Sequence, residues 1–413
     1  MNDNSVVVTG MGLVSPLGLG VEVAWESLLA GRSGIGPLTR FDGSALPTRI
    51  AGEVRDFRPE DFMDAKEARR NDRFIHFALA AAQMAVRDAG LDSGGLDMDR
   101  IGVIVGSGMG GLETIEDTHT TLTTRGHRKV SPFFVPSVIS NLAPGQISLR
   151  YGFRGPNFAP VSACATGNHA LGEAFLMLER GMADVIVAGG AEATLCPLGL
   201  AGFIAARAMS ERNDDPARAS RPFDLGRDGF VASEGAGILV LERFDHAKKR
   251  GAKIFAVLAG YGASADAHHI TSPPADGEGA QRAMRMALRM AGVTPGQVGY
   301  LNAHATSTAV GDIAEATAIR SVFKDSVKTL AVSSTKSMTG HMLGAAGGAE
   351  AIFSVLAMTR GVLPPTANIE NLDPAIGLDV IPNMPREKRV DVVLSNGFGF
   401  GGTNASLVFT RAG

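Results

Sequence analysis

Apolar positions along the chain fall into two kinds of run. Short unbroken runs read as strands buried on both faces: Ser5 to Thr9, Ile101 to Val105, Asp184 to Ala188 and Gly237 to Leu241, then Ile254 to Leu258, Gly299 to Ala303, Ala331 to Ser333, Val390 to Leu394 and Ala405 to Phe409. Longer runs predict helices over Val21 to Leu29, Lys66 to Asp88 (stopped by Gly90), Ala170 to Leu178, Gly279 to Ala291, Asp312 to Ser321 and Ala345 to Met358. Strands without polar alternation, separated by helices, indicate parallel strands covered on both faces, an α/β layout. Gly10 to Gly12 predicts a turn after the first strand. Each half holds a strand, a small-residue loop with a reactive side chain and an Ala/Gly-rich helix. This pattern predicts a duplication, with a half at 1–255 carrying a thiol and a half at 256–413 carrying two histidines. No low-complexity linker separates them, so the halves are expected to pack tightly together.

The chemistry centres on Pro160 to Met177, PVSACATGNHALGEAFLM. Small residues around Cys164, followed by an apolar helical run, place the thiol at or near a helix N-terminus. There the unpaired N–H groups and the macrodipole favour a thiolate. The plainer alternative is a buried structural cysteine, the commoner fate of a lone thiol. His304 lies in NAHATST at a strand end, and His341 lies in STKSMTGHMLGAAGGAE, five residues after Lys336. A lysine in so weakly polar a segment must pair or titrate, unless it is simply a solvated loop residue. Phe398 to Gly402, FGFGG, offers bare backbone N–H groups suited to an oxyanion hole. The tandem His268–His269 has no metal-ligand spacing to a second cluster. A thiol, two histidines and an exposed backbone admit acyl transfer with carbon–carbon bond formation. They admit cysteine hydrolysis as well, and spacing does not choose.

Composition narrows the setting. The chain has 413 residues, 45% hydrophobic and 20% charged, with a net charge of −3. That balance gives no support for a nucleic-acid or membrane-surface partner. Two cysteines in such a length make no disulfide framework, and a reducing compartment is the default. MNDNSVVVTG has no basic leader or long apolar run, and Ala345 to Met358, interrupted by Glu350, is too short to cross a bilayer. A cytoplasmic protein is expected.

In order along the chain, VVVTGMGLVSPLG, SACATG, DGFVASEGAG, NAHATSTAVGD, SSTKSMTGHMLGAAGGAE and SNGFGFGGTN resemble the β-ketoacyl-[acyl-carrier-protein] synthases of the thiolase superfamily. The resemblance covers essentially the whole chain and is strongest to the synthase II type of bacterial fatty acid synthesis. It implies a thiolase-like five-layered αβαβα fold with mixed sheets and two buried central helices, a homodimer and no organic cofactor. The implied activity is decarboxylating Claisen condensation of malonyl-acyl carrier protein with an enzyme-bound acyl thioester, giving 3-oxoacyl-acyl carrier protein.

By resemblance, Cys164 is the nucleophile, His304 and His341 support decarboxylation, and Lys336 keeps the site organised. The N–H groups of Cys164 and Phe400 match the oxyanion hole, with the Phe400 ring as a gate. Thr306 and Thr308 match the pantetheine path, and Thr271 and Phe398 fall among substrate-binding positions. Met109, Phe133 and Phe203 match the acyl pocket. Asn302, Glu350, Ser395 and Asn396 match positions that in some relatives enclose a monovalent cation, Na+ or K+. Lys66, Arg69 and Arg70, with Arg128, Lys129 and Arg207, are the expected docking surface for an acidic acyl carrier protein.

Two departures from the family pattern are visible. Ala305 replaces the glycine of HGTST, where a methyl would crowd the backbone if φ were positive. Gly397 replaces the serine of NSFGFGG and is expected to loosen the turn bearing Phe400. Rival readings are a synthase I type enzyme, a polyketide ketosynthase and a non-catalytic chain-length partner subunit. The last lacks the nucleophile that Cys164 supplies here.

Overall fold

The computed structural model describes residues 3–412. The first strand, Val6–Ser15, is buried along its full length and runs straight through the glycines expected to turn it. Those glycines serve a close approach instead. The helix Arg73–Asp88 lies directly on this strand. A Cβ at Gly10 would stand 2.4 Å from the Ala85 carbonyl oxygen, and one at Gly12 would stand 1.9 Å from that of Ala81.

The helix expected over Lys66 to Asp88 is two helices. Ala65–Ala68 is capped by Asp64, and the chain restarts at Asp72, whose carboxylate accepts the Phe74 N–H at the head of Arg73–Asp88. The second oxygen of Asp72 takes the Thr114 N–H and hydroxyl. The break is therefore pinned by a contact that helical periodicity does not encode.

The sheet is mixed, so the expectation of parallel strands holds only in part. Outward from Val6–Ser15, Gly235–Arg243 and Val185–Glu192 pair antiparallel, and then Ile101–Gly106 and Asn157–Phe158 follow parallel. Outward from Ala256–Ala265, Thr403–Thr410 and Val392–Gly399 pair antiparallel, and then Tyr300–Asn302 and Ala331–Ser333 follow parallel. The two halves thus repeat one strand order and one set of strand senses. They join where Val6–Val8 pairs with Ala256–Leu258.

Three apolar clusters define the layers. Arg73–Asp88 and Leu142–Tyr151 cover the outer face of the first half, and Glu278–Ala291 and Ala309–Phe323 cover that of the second. Between the halves, the helices Thr166–Glu179 and Ala346–Arg360 pack on each other and on strands of both halves. The result is five layers, αβαβα. Each central helix is preceded by a 3-10 turn, Ala163–Ala165 in one half and Leu343–Ala345 in the other.

Gly12→Ala is expected to destabilise the fold by about 2–3 kcal/mol through overpacking against the helix backbone. Gly202→Ala is the control. It lies in the helix Pro197–Ala205, and nothing comes within 4 Å of the point where its methyl would stand. The change should cost nothing or add about 0.5–1 kcal/mol. Urea-unfolding midpoints of the two variants measure the difference.

Candidate active site

Cys164 is the middle residue of the Ala163–Ala165 turn, immediately ahead of Thr166–Glu179. The Thr166 hydroxyl accepts the Ser162 N–H at 2.9 Å and closes the turn. The backbone N–H groups of Cys164 and Phe400 lie close enough to the thiol to favour its ionised form. Burial pushes the thiol up from its usual 9.0 to about 12, against the pull of the Lys336 ammonium and these N–H groups and with the Glu192 carboxylate adding to the rise. Helix-terminus electrostatics are worth about 0.3–2 kcal/mol. A rise of that size corresponds to about 4 kcal/mol. Burial therefore wins, and the resting residue is a thiol, contrary to the thiolate expected from its place before a helix.

His304 follows the strand Tyr300–Asn302. Its N–H and that of Ala305 donate to the two oxygens of Glu315 at 2.9 and 2.6 Å, and Asn396 Nδ2 donates to Glu315 at 3.0 Å. The left-handed residue of this loop is Ser307, φ 72°, and not Ala305, so the methyl of Ala305 is buried without strain. His341 is fixed by its N–H to the Val231 carbonyl (2.8 Å) and by the Ser233 N–H to its own carbonyl (3.0 Å). The two imidazoles stand 5.4 Å apart, near perpendicular. Phe398 flanks His304 at 5.7 Å and Phe230 flanks His341 at 5.4 Å. Burial, reinforced by the Lys336 ammonium, holds both histidines well below 6.5, so both are neutral. His304 Nδ1 and both ring nitrogens of His341 are buried with no partner in the chain.

Lys336 is fully buried and forms an ion pair with Glu350. Burial raises the Glu350 carboxyl to about 7 against the attraction of the lysine. Lys336 lies behind the histidines and does not line the cavity.

Cys164, His304 and His341 meet in one cavity of about 350 Å3. Thr306 and Thr308, with their hydroxyls 3.2 Å apart, line it together with Thr271. Phe203, Phe398 and Phe400 supply apolar wall, and exposed Arg207 stands at its edge. Met109 and Phe133 do not line it. Both lie on the surface, 45% and 38% exposed, with the Arg70 guanidinium 4.3 Å above the Phe133 ring. Lys66, Arg69, Arg70, Arg128 and Lys129 are all exposed, but Lys66 belongs to the separate short helix and Arg128–Lys129 to the turn His127–Lys129.

Among the cation positions, both amide atoms of Asn302, Glu350 Oε2 and Ser395 Oγ are buried and unpartnered. The Asn396 side chain is spent on Glu315 and on the Ser406 hydroxyl, so it offers no free side-chain ligand. Gly397 does not loosen the Phe400 turn, since it pairs with Ala405 inside the strand Val392–Gly399. A side chain there would meet Asn168, whose Oδ1 lies 2.2 Å from the Cβ position.

Sequence reasoning passed over Glu315, Asp312, Glu192, Phe230 and Leu343. Asp312 and Glu315 share one buried face of Ala309–Phe323. Spaced three apart at the start of a helix, they resemble ordinary solvent-facing acids.

A thiol and two neutral histidines at the heart of a five-layered duplicated fold define a thiolase-like condensing site. Residues 3–247 match the beta-ketoacyl synthase N-terminal domain and residues 255–370 the beta-ketoacyl synthase C-terminal domain. The chain is 51% identical over 411 residues to the 3-oxoacyl-[acyl-carrier-protein] synthase 2 of Coxiella burnetii, covering 100% of this chain and 99% of that one. A crystal structure of a beta-ketoacyl synthase from Burkholderia phymatum superposes with a TM-score of 0.92 at 35% identity, over 99% of this chain and 100% of that one. A type II polyketide ketosynthase in complex with its acyl-carrier protein gives 0.93 at 34% identity, over 100% of both chains. The chain belongs to the beta-ketoacyl synthase family.

With its thiol raised to about 12, Cys164 should react with iodoacetamide at a rate that climbs about tenfold per pH unit from pH 7 to 9. Mass spectrometry of the modified peptide follows this, and a plateau near pH 7.5 would show the thiolate to be the resting form.

Proposed function

We propose that this chain is the elongating condensing enzyme of fatty acid synthesis, joining an acyl group on Cys164 to malonyl-acyl carrier protein with loss of carbon dioxide. The observation that carries the reading is the meeting of the Cys164 thiol and the Phe400 backbone in one cavity with two neutral histidines, of which His304 Nδ1 and both ring nitrogens of His341 are buried and unpartnered. In the first step Sγ attacks the acyl thioester, and the carbonyl oxygen takes the place beside the Cys164 and Phe400 N–H groups. The departing pantetheine sulfur leaves with the proton that the thiol gives up. In the second, a malonyl thioester loses carbon dioxide, and its enolate oxygen is held by N–H donors of His304 and His341. Neutral imidazoles suit this role, since each keeps one N–H to donate. The enolate carbon then attacks the acyl carbonyl, and collapse of that intermediate breaks the C–S bond, releasing a 3-oxoacyl thioester and the Cys164 thiolate, which takes a proton from water to return to the thiol. Thr306 and Thr308 are read as guides for the pantetheine arm, and Phe400 as a ring that turns aside on acylation. The 51% identity to synthase 2 over the whole chain, against 34% to the type II polyketide ketosynthase, supports fatty acid over polyketide synthesis.

The seam behind the site suits a monovalent cation. Asn302, Glu350 and Ser395 would hold it through oxygens that nothing in the chain satisfies, and its charge would offset that of Glu350. No organic cofactor is required by these steps. The division into a thiol half, 1–255, and a histidine half, 256–413, follows the repeated strand order. A homodimer is proposed because the helix Leu112–Arg125 buries none of its residues, while Met109, Ile115, Leu122 and Phe133 are exposed nearby in the chain. A second copy would cover that apolar surface. Among the described residues no helix is long and apolar enough to cross a membrane, and a cytoplasmic location is proposed.

Cys164→Ala should abolish condensation while still releasing carbon dioxide from malonyl-acyl carrier protein, at a rate independent of pH between 6 and 8 because both histidines stay neutral there. Adding His304→Ala should lower that release by about 10². Product mass spectrometry and carbon dioxide release measure the two effects, and a Cys164→Ala chain that condenses at the parent rate would defeat the reading.

For the carrier partner, the exposed Lys66 and Arg69 are read as a docking surface. Lys66→Glu with Arg69→Glu should raise KM for carrier-bound substrates about tenfold and leave small thioesters unaffected, as steady-state kinetics on both substrate classes would reveal.

A further inference from the structure

Because the two halves repeat one strand order, each carries a counterpart of the other's catalytic turn. Cys164 is the middle residue of Ala163–Ala165 and Gly344 the middle residue of Leu343–Ala345. Both turns begin on a non-glycine residue in the left-handed region, Ala163 at φ 48° and Leu343 at φ 49°. In each, the turn of one half packs against the end of the third strand outward in the other half: Cys164 against Gly399–Phe400, and Gly344 against Glu192. Cys164 lines the cavity, and by resemblance its N–H belongs to the oxyanion hole. At Gly344 the equivalent N–H is taken by the Glu192 carboxylate at 3.0 Å.

Glu192 is completely buried and accepts four hydrogen bonds. Besides Gly344 N–H, these come from the Gly108 N–H at 2.8 Å, the Met109 N–H at 3.1 Å and the Ser107 hydroxyl at 2.8 Å. The carboxylate therefore ties the loop after Ile101–Gly106 to the turn that follows His341. A methyl at Gly108 or Gly344 would stand 2.7 or 2.6 Å from Glu192 Oε2, so both backbones close tightly around it. Leu343 lines the cavity and packs in one apolar cluster with Cys164 and Phe203. A branched residue at φ 49° persists only where its surroundings fix it. The bond from the next N–H to Glu192 is one such restraint, peculiar to this turn, since its duplicate holds Ala163 at φ 48° without a carboxylate.

We infer that Glu192 is a positioning residue, an internal anion filling the duplicate of the oxyanion site, and that it sets acyl-chain preference by holding Leu343 against the cavity. The inference rests on the acyl-transfer reading of Cys164. Glu192→Gln keeps the shape of the side chain but turns one of its acceptors into a donor facing N–H groups.

The test is the rate of Cys164 acylation by short and long acyl-acyl carrier proteins, followed by mass spectrometry for the parent, Glu192→Gln, Leu343→Gly and the double variant. The expected result is a change of at least fivefold in the long-to-short ratio of kcat/KM for Glu192→Gln. Leu343→Gly, which relieves the backbone and removes the side chain, should shift the ratio as well. The double variant should shift it no further than Leu343→Gly alone, because both act through one side chain. An unchanged ratio in a folded Glu192→Gln chain, or two shifts that multiply in the double variant, would overturn the inference. Should Glu192→Gln not fold, Ser107→Ala removes one of the four donors and is expected to move the ratio at least twofold, with no movement counting against the inference. A parent chain that takes no acyl group on Cys164 would defeat the acyl-transfer reading instead.

Discussion

The contact on which the rest depends is the meeting of the two central helices backbone to backbone. A Cβ on Gly167 would lie 2.7 Å from the Gly348 nitrogen and 3.1 Å from the Gly344 carbonyl oxygen, and one on Gly347 would lie 2.4 Å from the Asn168 nitrogen. No side chain fits between them. The helix starts are therefore drawn together, and the turn bearing Cys164 comes to face the segment bearing His341. Any larger residue would force the helices apart and open the cavity that requires both groups.

Drawing these turns into the molecular centre brings charge with them, and burying charge is costly unless every lone pair is met. The structure meets most of them. Glu315 accepts from His304 N–H, Ala305 N–H and Asn396, Glu192 accepts four donors, and Asp312 accepts the Phe223 and Thr308 N–H groups. Of the buried polar atoms left unmatched among the described residues, several belong to His304, His341, Asn302, Glu350 and Ser395. Satisfied carboxylates hold the frame, while the open groups of His304, His341, Asn302, Glu350 and Ser395 are ones the proposed chemistry and cation site use. Asn168 is a different case. Its amide is also unmatched, and it occupies the space that the glycine at 397 vacates.

The same burial decides the character of the nucleophile. A thiol at a helix start would be acidic in an open loop. Here the surrounding apolar cluster outweighs the N–H groups, and the histidines are kept neutral by the same dryness. The site rests uncharged at Cys164, His304 and His341. The Lys336–Glu350 pair does not line the cavity.

Much of this was legible in the chain. Unbroken apolar runs located the main strands, with Ala331 to Ser333 placed to the residue, because a strand buried on both faces has to be apolar throughout, and Val21 to Leu29 is correct as a helix whose buried face is Ala24, Trp25, Ser27 and Leu28. The motifs around Cys164, His304 and His341 identified the reactive groups, since their small neighbours are needed wherever backbones touch. Strand sense was not legible. A strand buried on both faces looks alike whether its neighbour runs parallel or antiparallel, and Gly10 and Gly12 signal a turn or a crossing helix equally well. The break at Arg69–Asp72 depends on Thr114, 42 residues beyond Asp72. Nor could the chain by itself show that Met109 and Phe133 lie outside the cavity of a single copy, or that Glu192 and Glu315 turn inward. Local pattern fixes which residues must be buried. Which buried partners they meet is decided only when the two halves close on each other, because those contacts join residues far apart in the chain.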